Sequence, residues 1–441
     1  MERMPSGEPR WELNFDERGG MSTPDRDRFL DEVAAENPAT LFFFSHGWGT
    51  AHDAAKSLYD AMFPMLRDAA VAAGLPKPGF AGIFWPSLWF PPTPAVAPAM
   101  AGVAKPQSRT AEVSGADIAA SLAPGFSDPD QQKALAELGE LLDAPGDPAV
   151  STETEAERER VVGRIQELIS SIAAPAGDAE PEDSGELSLL LNENPKDAFQ
   201  RTAKVFGSEG AGAGAQGIGD WFGRAVNGAK DAVRVLSYNV MKTRAGDIGR
   251  TGLGPLLADL HTRAPAVRAQ LLGHSFGARL VSFALAGVGA PDRSPVTSLL
   301  LIQGAFSHLS FAPAQGNPFG RPGALNGFGD RVHGPLLATF SPFDWAVGVW
   351  YPRASFLTGA GPEAEADGRW DAMGKDGYQH VDPAADIRIP LGAFDFRPGT
   401  YYRVDAGDVI NNVKDSSFGG AHSDIRKPEV AALAAAAARP V

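Results

Sequence analysis

Cysteine is absent from all 441 residues, which removes thiolate nucleophiles, disulfides and thiolate metal sites together. The absence leaves the redox compartment open, because a cysteine-free chain suits either side of a membrane. Long apolar runs are missing too: no stretch of about 18 residues is apolar enough to span a bilayer. Met1-Glu2-Arg3-Met4-Pro5 lacks the apolar centre of a secretory signal. A soluble, cytoplasmic protein is therefore the expectation, with export by a signal-free route left open. Positive charge is scarce and scattered. The net charge of −15 and pI near 5.0, with no segregated basic patch, argue against nucleic acid as a partner. No Walker lysine pattern and no paired-histidine zinc pattern occurs. Gly212-Ala213-Gly214-Ala215-Gln216-Gly217 matches the dinucleotide fingerprint in form only, since no apolar strand precedes it and no acidic partner follows. It reads as a linker, and no cofactor or metal is expected.

What the chain does have is 44% hydrophobic residues, enough for a large core, and a short motif set in an informative context. Gln270-Leu271-Leu272 closes an apolar, strand-like run. Gly273-His274-Ser275-Phe276-Gly277 follows, and Ala278 to Ala286 then reads as a small-residue helix. Strand, sharp turn and helix are the setting in which G-x-S-x-G exposes a serine nucleophile. Glycine is needed at both flanks because the helix must pack close to the strand and a Cβ would collide. Ser275 is the candidate nucleophile. With 50 glycines in the chain the pentapeptide alone is weak evidence, so the remaining parts of a hydrolytic site must also be found.

An activated serine needs a base, an acid to orient the base, and two N–H donors facing the oxyanion. Upstream, Thr40 to Ser45 reads as a buried parallel strand that breaks into His46-Gly47-Trp48-Gly49. Downstream, Leu336 to Phe340 reads as a second buried strand, with Asp344 in the loop beyond its C-terminal end. Tyr401 to Val404 reads as the last strand, followed by a polar loop and Gly419-Gly420-Ala421-His422. Asp344 is the candidate acid and His422 the candidate base. Asp405 is the nearest competitor for the acid, ahead of Asp330 and Asp408. His308 and His380 compete for the base but precede the last strand. His274 is expected to point away from Ser275, and His46 to brace its own turn.

In the order Ser275, Asp344, His422, with this His-Gly turn upstream, the chain resembles the α/β-hydrolase superfamily over roughly residues 39 to 90 and 230 to 425. The resemblance implies a doubly wound, mostly parallel sheet with helices on both faces. It makes the Phe276 and Trp48 amides the oxyanion donors, although Trp48 stands where lipases and esterases have further glycines. It also implies a cofactor-free acyl-enzyme mechanism.

Three regions follow along the chain. Residues 1–38 are polar and read as an irregular N-terminal arm with an early strand near Trp11 to Phe15. The hydrolase core is assigned to 39–86 and 230–441. Residues 87–229, with Pro-rich loops and helices at Gln131 to Asp143 and Thr152 to Ile172, read as a cap or lid. Trp85, Leu88, Trp89, Phe90 and Met100 either line an apolar acyl pocket or anchor the cap. An ester of a small molecule or lipid is the expected substrate, by a carboxylesterase or lipase-like reaction. The alternatives are a peptidase or amidase, a non-catalytic binding or scaffold protein, and an enzyme whose cap opens in transient contact with a membrane. Oligomeric state is not legible.

Overall fold

Leu41, Phe42, Phe43 and Phe44 are all fully buried, which requires a strand covered on both faces. Alternate side chains of this strand enter two separate clusters, Leu41 and Phe43 in one and Phe42 and Phe44 in the other. The computed structural model describes residues 1–87, 114–143, 154–172, 193–206, 220–347, 368–413 and 420–440. Within them one nine-stranded sheet runs through β1 (Glu2–Arg3), β2 (Pro9–Asn14), β3 (Thr40–Ser45), β4 (Pro78–Phe84), β5 (Arg268–His274), β6 (Val296–Ile302), β7 (Leu336–Phe340), β8 (Ala384–Arg388) and β9 (Tyr401–Asp405). Its order is β1-β2-β4-β3-β5-β6-β7-β9-β8. Only β1 against β2 is antiparallel.

Helices cover both faces. On one lies α1 (Thr23–Glu36) with most of the later helices; on the other lies α2 (His52–Ala72) with the last helix of the chain. The helix α2 carries its buried residues at helical spacing, Ala55, Leu58, Tyr59, Met62, Phe63 and Leu66. The described part of residues 87–229 is helical: α3 (Gly115–Leu122), α4 (Pro129–Asp143), α5 (Glu155–Ile172), α6 (Pro195–Phe206) and the start of α7 (Asp220–Asp247). Their apolar residues, among them Ile118, Leu138 and Ile165, join the same cluster as Leu41 and Phe43. Buried Arg244 of α7 ties this region to the sheet by donating to the carbonyls of Pro86 and Gly125.

The structure differs from the sequence reading at the N-terminus. The early strand expected near Trp11 is β2, but the rest of residues 1–38 is not irregular: it adds β1 and α1, and Trp11, Leu13, Phe29 and Val33 lie in the core. The helix α7 does not stop at the core boundary. It continues to Asp247, passes through a π-helical stretch, Ile248–Leu253, and becomes α8 (Gly254–Arg263). Glycines make the close approach there, since a Cβ on Gly249 would lie 2.2 Å from the Leu280 carbonyl oxygen. The strand β9 is the last in sequence, as expected, and β8 pairs outside it at the edge. The chain then runs through α9 (Phe276–Val288), which follows β5, and closes with α10 (Pro428–Ala437), whose alanines pack in the cluster of α2. No described helix is long and apolar enough to cross a membrane.

Sheet order places the site. From β3 the chain crosses by α2 to β4 on one side, while β5, on the other side of β3, leads on to β6 and β7. The crevice beyond the C-terminal ends of β3 and β5 is therefore where the winding reverses, the position at which open α/β sheets bind ligands.

Candidate active site

Two turns leave the sheet at that crevice. Ser275 lies between β5 and α9 with φ 57° and ψ −122°, a conformation that costs a non-glycine residue of order 1–3 kcal/mol and that clusters at functional sites. Neighbouring backbone holds it there: the Ser275 amide donates to Ile302, and the Ser275 carbonyl accepts from Ala305 and Ala278. The flanking glycines are there for space. A Cβ on Gly273 would lie 2.3 Å from the Gly277 carbonyl oxygen, and one on Gly277 would lie 2.3 Å from that of Ser45. Phe276 is the first residue of α9, so its N–H has no intrahelical acceptor.

The second turn, after β3, touches the first. A Cβ on Gly47 would sit 2.6 Å from Ser275 Cβ, so only glycine lets the backbone come this near. The Trp48 ring packs on those of Phe276 and Tyr238, with centroids 6.2 and 6.4 Å away. His46 braces its own turn as the sequence suggested: Nδ1 donates to the Gly47 carbonyl at 3.0 Å, and Nε2 accepts from the Trp85 amide at 3.4 Å. Tyr59 from α2 fixes the strand end, accepting from the His46 amide and donating to the Ile83 carbonyl.

Asp344 and His422, 78 residues apart, meet directly. His422 Nδ1 donates to Asp344 Oδ2 at 2.7 Å, with the carboxylate wholly buried and the imidazole 14% exposed. An isolated bridge pairs Asp344 with Gly420, and the Ala421 amide donates to the Phe343 carbonyl at 2.8 Å. Two further donors converge on the carboxylate, Gln303 Nε2 at 2.8 Å on Oδ2 and the Val347 amide at 3.2 Å on Oδ1.

The dyad reaches the elbow through His274. Its ring lies 4.8 Å from that of His422, and its Nε2 donates to the His422 carbonyl at 2.9 Å. The side chain of His274, the last residue of β5, thus reaches the loop that carries His422. No hydrogen bond joins Ser275 Oγ to the His422 ring among the described residues, a contact often loose before substrate arrives.

The rivals are occupied elsewhere. His308 pairs with Asp376 at 2.8 Å, Asp405 with Arg388 at 2.9 Å, and Asp330 with Arg331. Asp408 is also beside Arg388, at 3.5 Å. Gln303 escaped the sequence reading. Its signal is a polar residue closing the apolar run Leu299 to Ile302, and it too has positive φ, 49°.

Across β3 from Ser275, a cavity of about 390 Å³ opens between the ends of β2 and β4 and the C-terminal end of α3. Its walls include Phe15, Phe84, Trp85 and Pro124, with Asn14, His46, Thr50, His52, Ser87 and Ser121 as polar groups. Trp85 is the member of the expected acyl-pocket cluster that can be placed, and it both lines this cavity and anchors the turn, stacking on His46 and donating Nε1 to the His46 carbonyl. Leu88, Trp89, Phe90 and Met100 lie outside the described residues. Among the described residues no cluster of three or more His, Asp or Glu side chains could hold a metal ion.

Burial sets two of the histidines apart electrostatically. It pushes His46 down to about 4, against a hydrogen bond to Gly47 that favours the charged form. Burial and the nearby His422 push His274 down to about 3. As pH falls below about 6.5 the unfolded chain takes up protons that these folded sites refuse, so stability present above that pH is lost on acidification. Between about pH 7 and pH 5 each site is expected to cost about 2 kcal/mol. Urea unfolding at the two pH values tests this, and an unchanged midpoint would overturn it.

No protein-family model, curated protein or solved structure matches the chain. The fold defines it as an α/β protein with a mostly parallel, nine-stranded sheet.

Proposed function

We propose that the protein is a serine hydrolase of the α/β-hydrolase type that cleaves an ester through an acyl-enzyme. The observation that carries this reading is the pairing of His422 Nδ1 with Asp344 Oδ2 at 2.7 Å, beside a serine held at positive φ on a strand-to-helix elbow. With Nδ1 protonated and bonded to the carboxylate, His422 Nε2 is left bare and able to accept a proton. Ser275 Oγ attacks the acyl carbonyl as that proton passes to Nε2, and the imidazolium is balanced by buried Asp344. The Phe276 amide and the Trp48 amide receive the oxyanion. Collapse expels the alcohol, protonated by His422. Water activated by the same base then releases the acid.

The helices of residues 87–229 act as a cap over this edge of the sheet. Phe15, Phe84 and Trp85 beside the oxyanion turn favour an apolar acyl or alkyl group, which suits a carboxylesterase or lipase-like substrate better than a peptide.

Labelling with an alkyl fluorophosphonate, followed by peptide mapping, tests the proposal. Modification confined to Ser275 is the expected result. A folded protein that is not labelled would overturn it and bring a hydrolase-like binding protein to the front.

A further inference from the structure

The base loop is held on its acid side by the dyad, the Asp344–Gly420 bridge and the Ala421 amide. Beyond His422 the described part of the loop is also held where Asp424 Oδ2 accepts from the Asn411 and Asn412 amides, and Ala421 and Ile425 are buried. The hydrogen bond to the carbonyl of His422 itself comes from the residue immediately before the nucleophile. We propose that His274 is a positioning residue for the general base: its Nε2–H, donated to the His422 carbonyl at 2.9 Å, fixes the backbone that carries the imidazole relative to Ser275. The proposal rests on the serine-hydrolase reading.

The geometry of His274 suits this task. It is the last residue of β5, paired in register with Ile302 of β6, so its backbone belongs to the rigid sheet. It is buried, and its ring touches both the Gly47 turn, where a Cβ would lie 3.2 Å from Nδ1, and the His422 ring. A carbonyl can only accept, so the proton must sit on Nε2, and Nδ1 is bare toward Gly47. Burial holds the ring neutral, so it does not add a second positive charge when His422 becomes an imidazolium. One side chain thereby sets the distance between the oxyanion turn, the nucleophile's strand and the base. This accounts for a histidine at a position where the elbow itself asks for nothing beyond a side chain of tolerable size.

Three variants separate a donor's role from a packing role. His274→Phe keeps the ring and removes the donor. His274→Gln keeps an amide N–H near the place of Nε2, and His274→Asn holds one that is too short to reach. On a p-nitrophenyl ester, Phe and Asn are expected to lower kcat and the fluorophosphonate labelling rate about 10- to 100-fold with KM within about twofold, as for a reacting group displaced by about 1 Å. Gln is expected to stay within about threefold of the parent. The low-field proton resonance of the His422–Asp344 hydrogen bond, assigned by its loss in His422→Gln, should persist in the parent and the Gln variant and vanish or broaden in Phe and Asn.

A Phe variant with parental kcat and an intact resonance would overturn the proposal, as would a Gln variant as impaired as Phe. Should Phe not fold, the contrast of Gln with Asn decides in its place. Parent protein that is not labelled at Ser275 defeats the hydrolase reading instead, and the resonance comparison still decides the positioning role.

Discussion

Ser275→Ala is expected to lower ester hydrolysis about 10⁵-fold or more and to abolish fluorophosphonate labelling, with the unfolding midpoint close to that of the parent. The size of the effect follows from the chemistry, since without Oγ no acyl-enzyme can form and only the oxyanion donors and substrate binding remain. The small change in stability follows from the structure. Alanine keeps the Cβ and therefore the same strain at φ 57°, and the backbone bonds to Ile302, Ala305 and Ala278 are untouched. Rates on a p-nitrophenyl ester with circular dichroism of the same samples provide the check. Activity within tenfold of the parent would mean that another group is the nucleophile.

Asp344→Asn is expected to lower kcat about 10⁴-fold while leaving the loop geometry in place. The carboxylate accepts from His422 Nδ1, Gln303 Nε2 and the Val347 amide, and all three are donors. An asparagine amide must place either its oxygen or its NH₂ at Oδ2. With Gln303 already donating there the oxygen is preferred, but the negative charge that balances the imidazolium is gone. If the NH₂ faces His422 instead, Nδ1 becomes the acceptor, Nε2 carries the proton, and the base is in the wrong tautomer. Either arrangement raises the barrier by about 5 kcal/mol for that loss in rate. Pre-steady-state labelling measures the step directly. A loss below about tenfold would show that the imidazole is oriented without Asp344.

The candidates Ser275 and Asp344 stand out because each lies just beyond a buried strand and its turn signal, whereas His422 lies well past β9, whose residues alternate half-buried and buried. Leu336 to Phe340, ending in Ser341-Pro342, is the plainest case. The sheet was legible for a similar reason, since a strand covered on both faces needs apolar residues at consecutive positions, as Leu41 to Phe44 show. The strand β8 has the opposite composition. Ala384 to Arg388 alternates exposed and half-buried, and no hydrophobic period marks it. Apart from the strand near Trp11, residues 1–38 were misread because their polar average hides Phe29 and Val33, which join the core only when β2 reaches β4. The tasks of Gln303 and His274 depend on partners 41 and 148 residues away. A side chain's local surroundings carry no trace of such a partner.

The two ends of the sheet bear on a different property of the molecule, its resistance to aggregation. A parallel sheet offers unpaired N–H and C=O groups at each margin, ready to template a strand from another chain. Here one margin is β1, only two residues long and formed of Glu2 and Arg3. The other is β8, which turns Asp386 and Arg388 outward into ion pairs with Arg403 and Asp405 and is followed by Pro390. Short length, fixed charge and a nearby proline are the means by which edges are blunted. Among the described residues, the strands rich in Val, Leu and Phe lie inside the sheet, and the two at its margins are poor templates for a further strand.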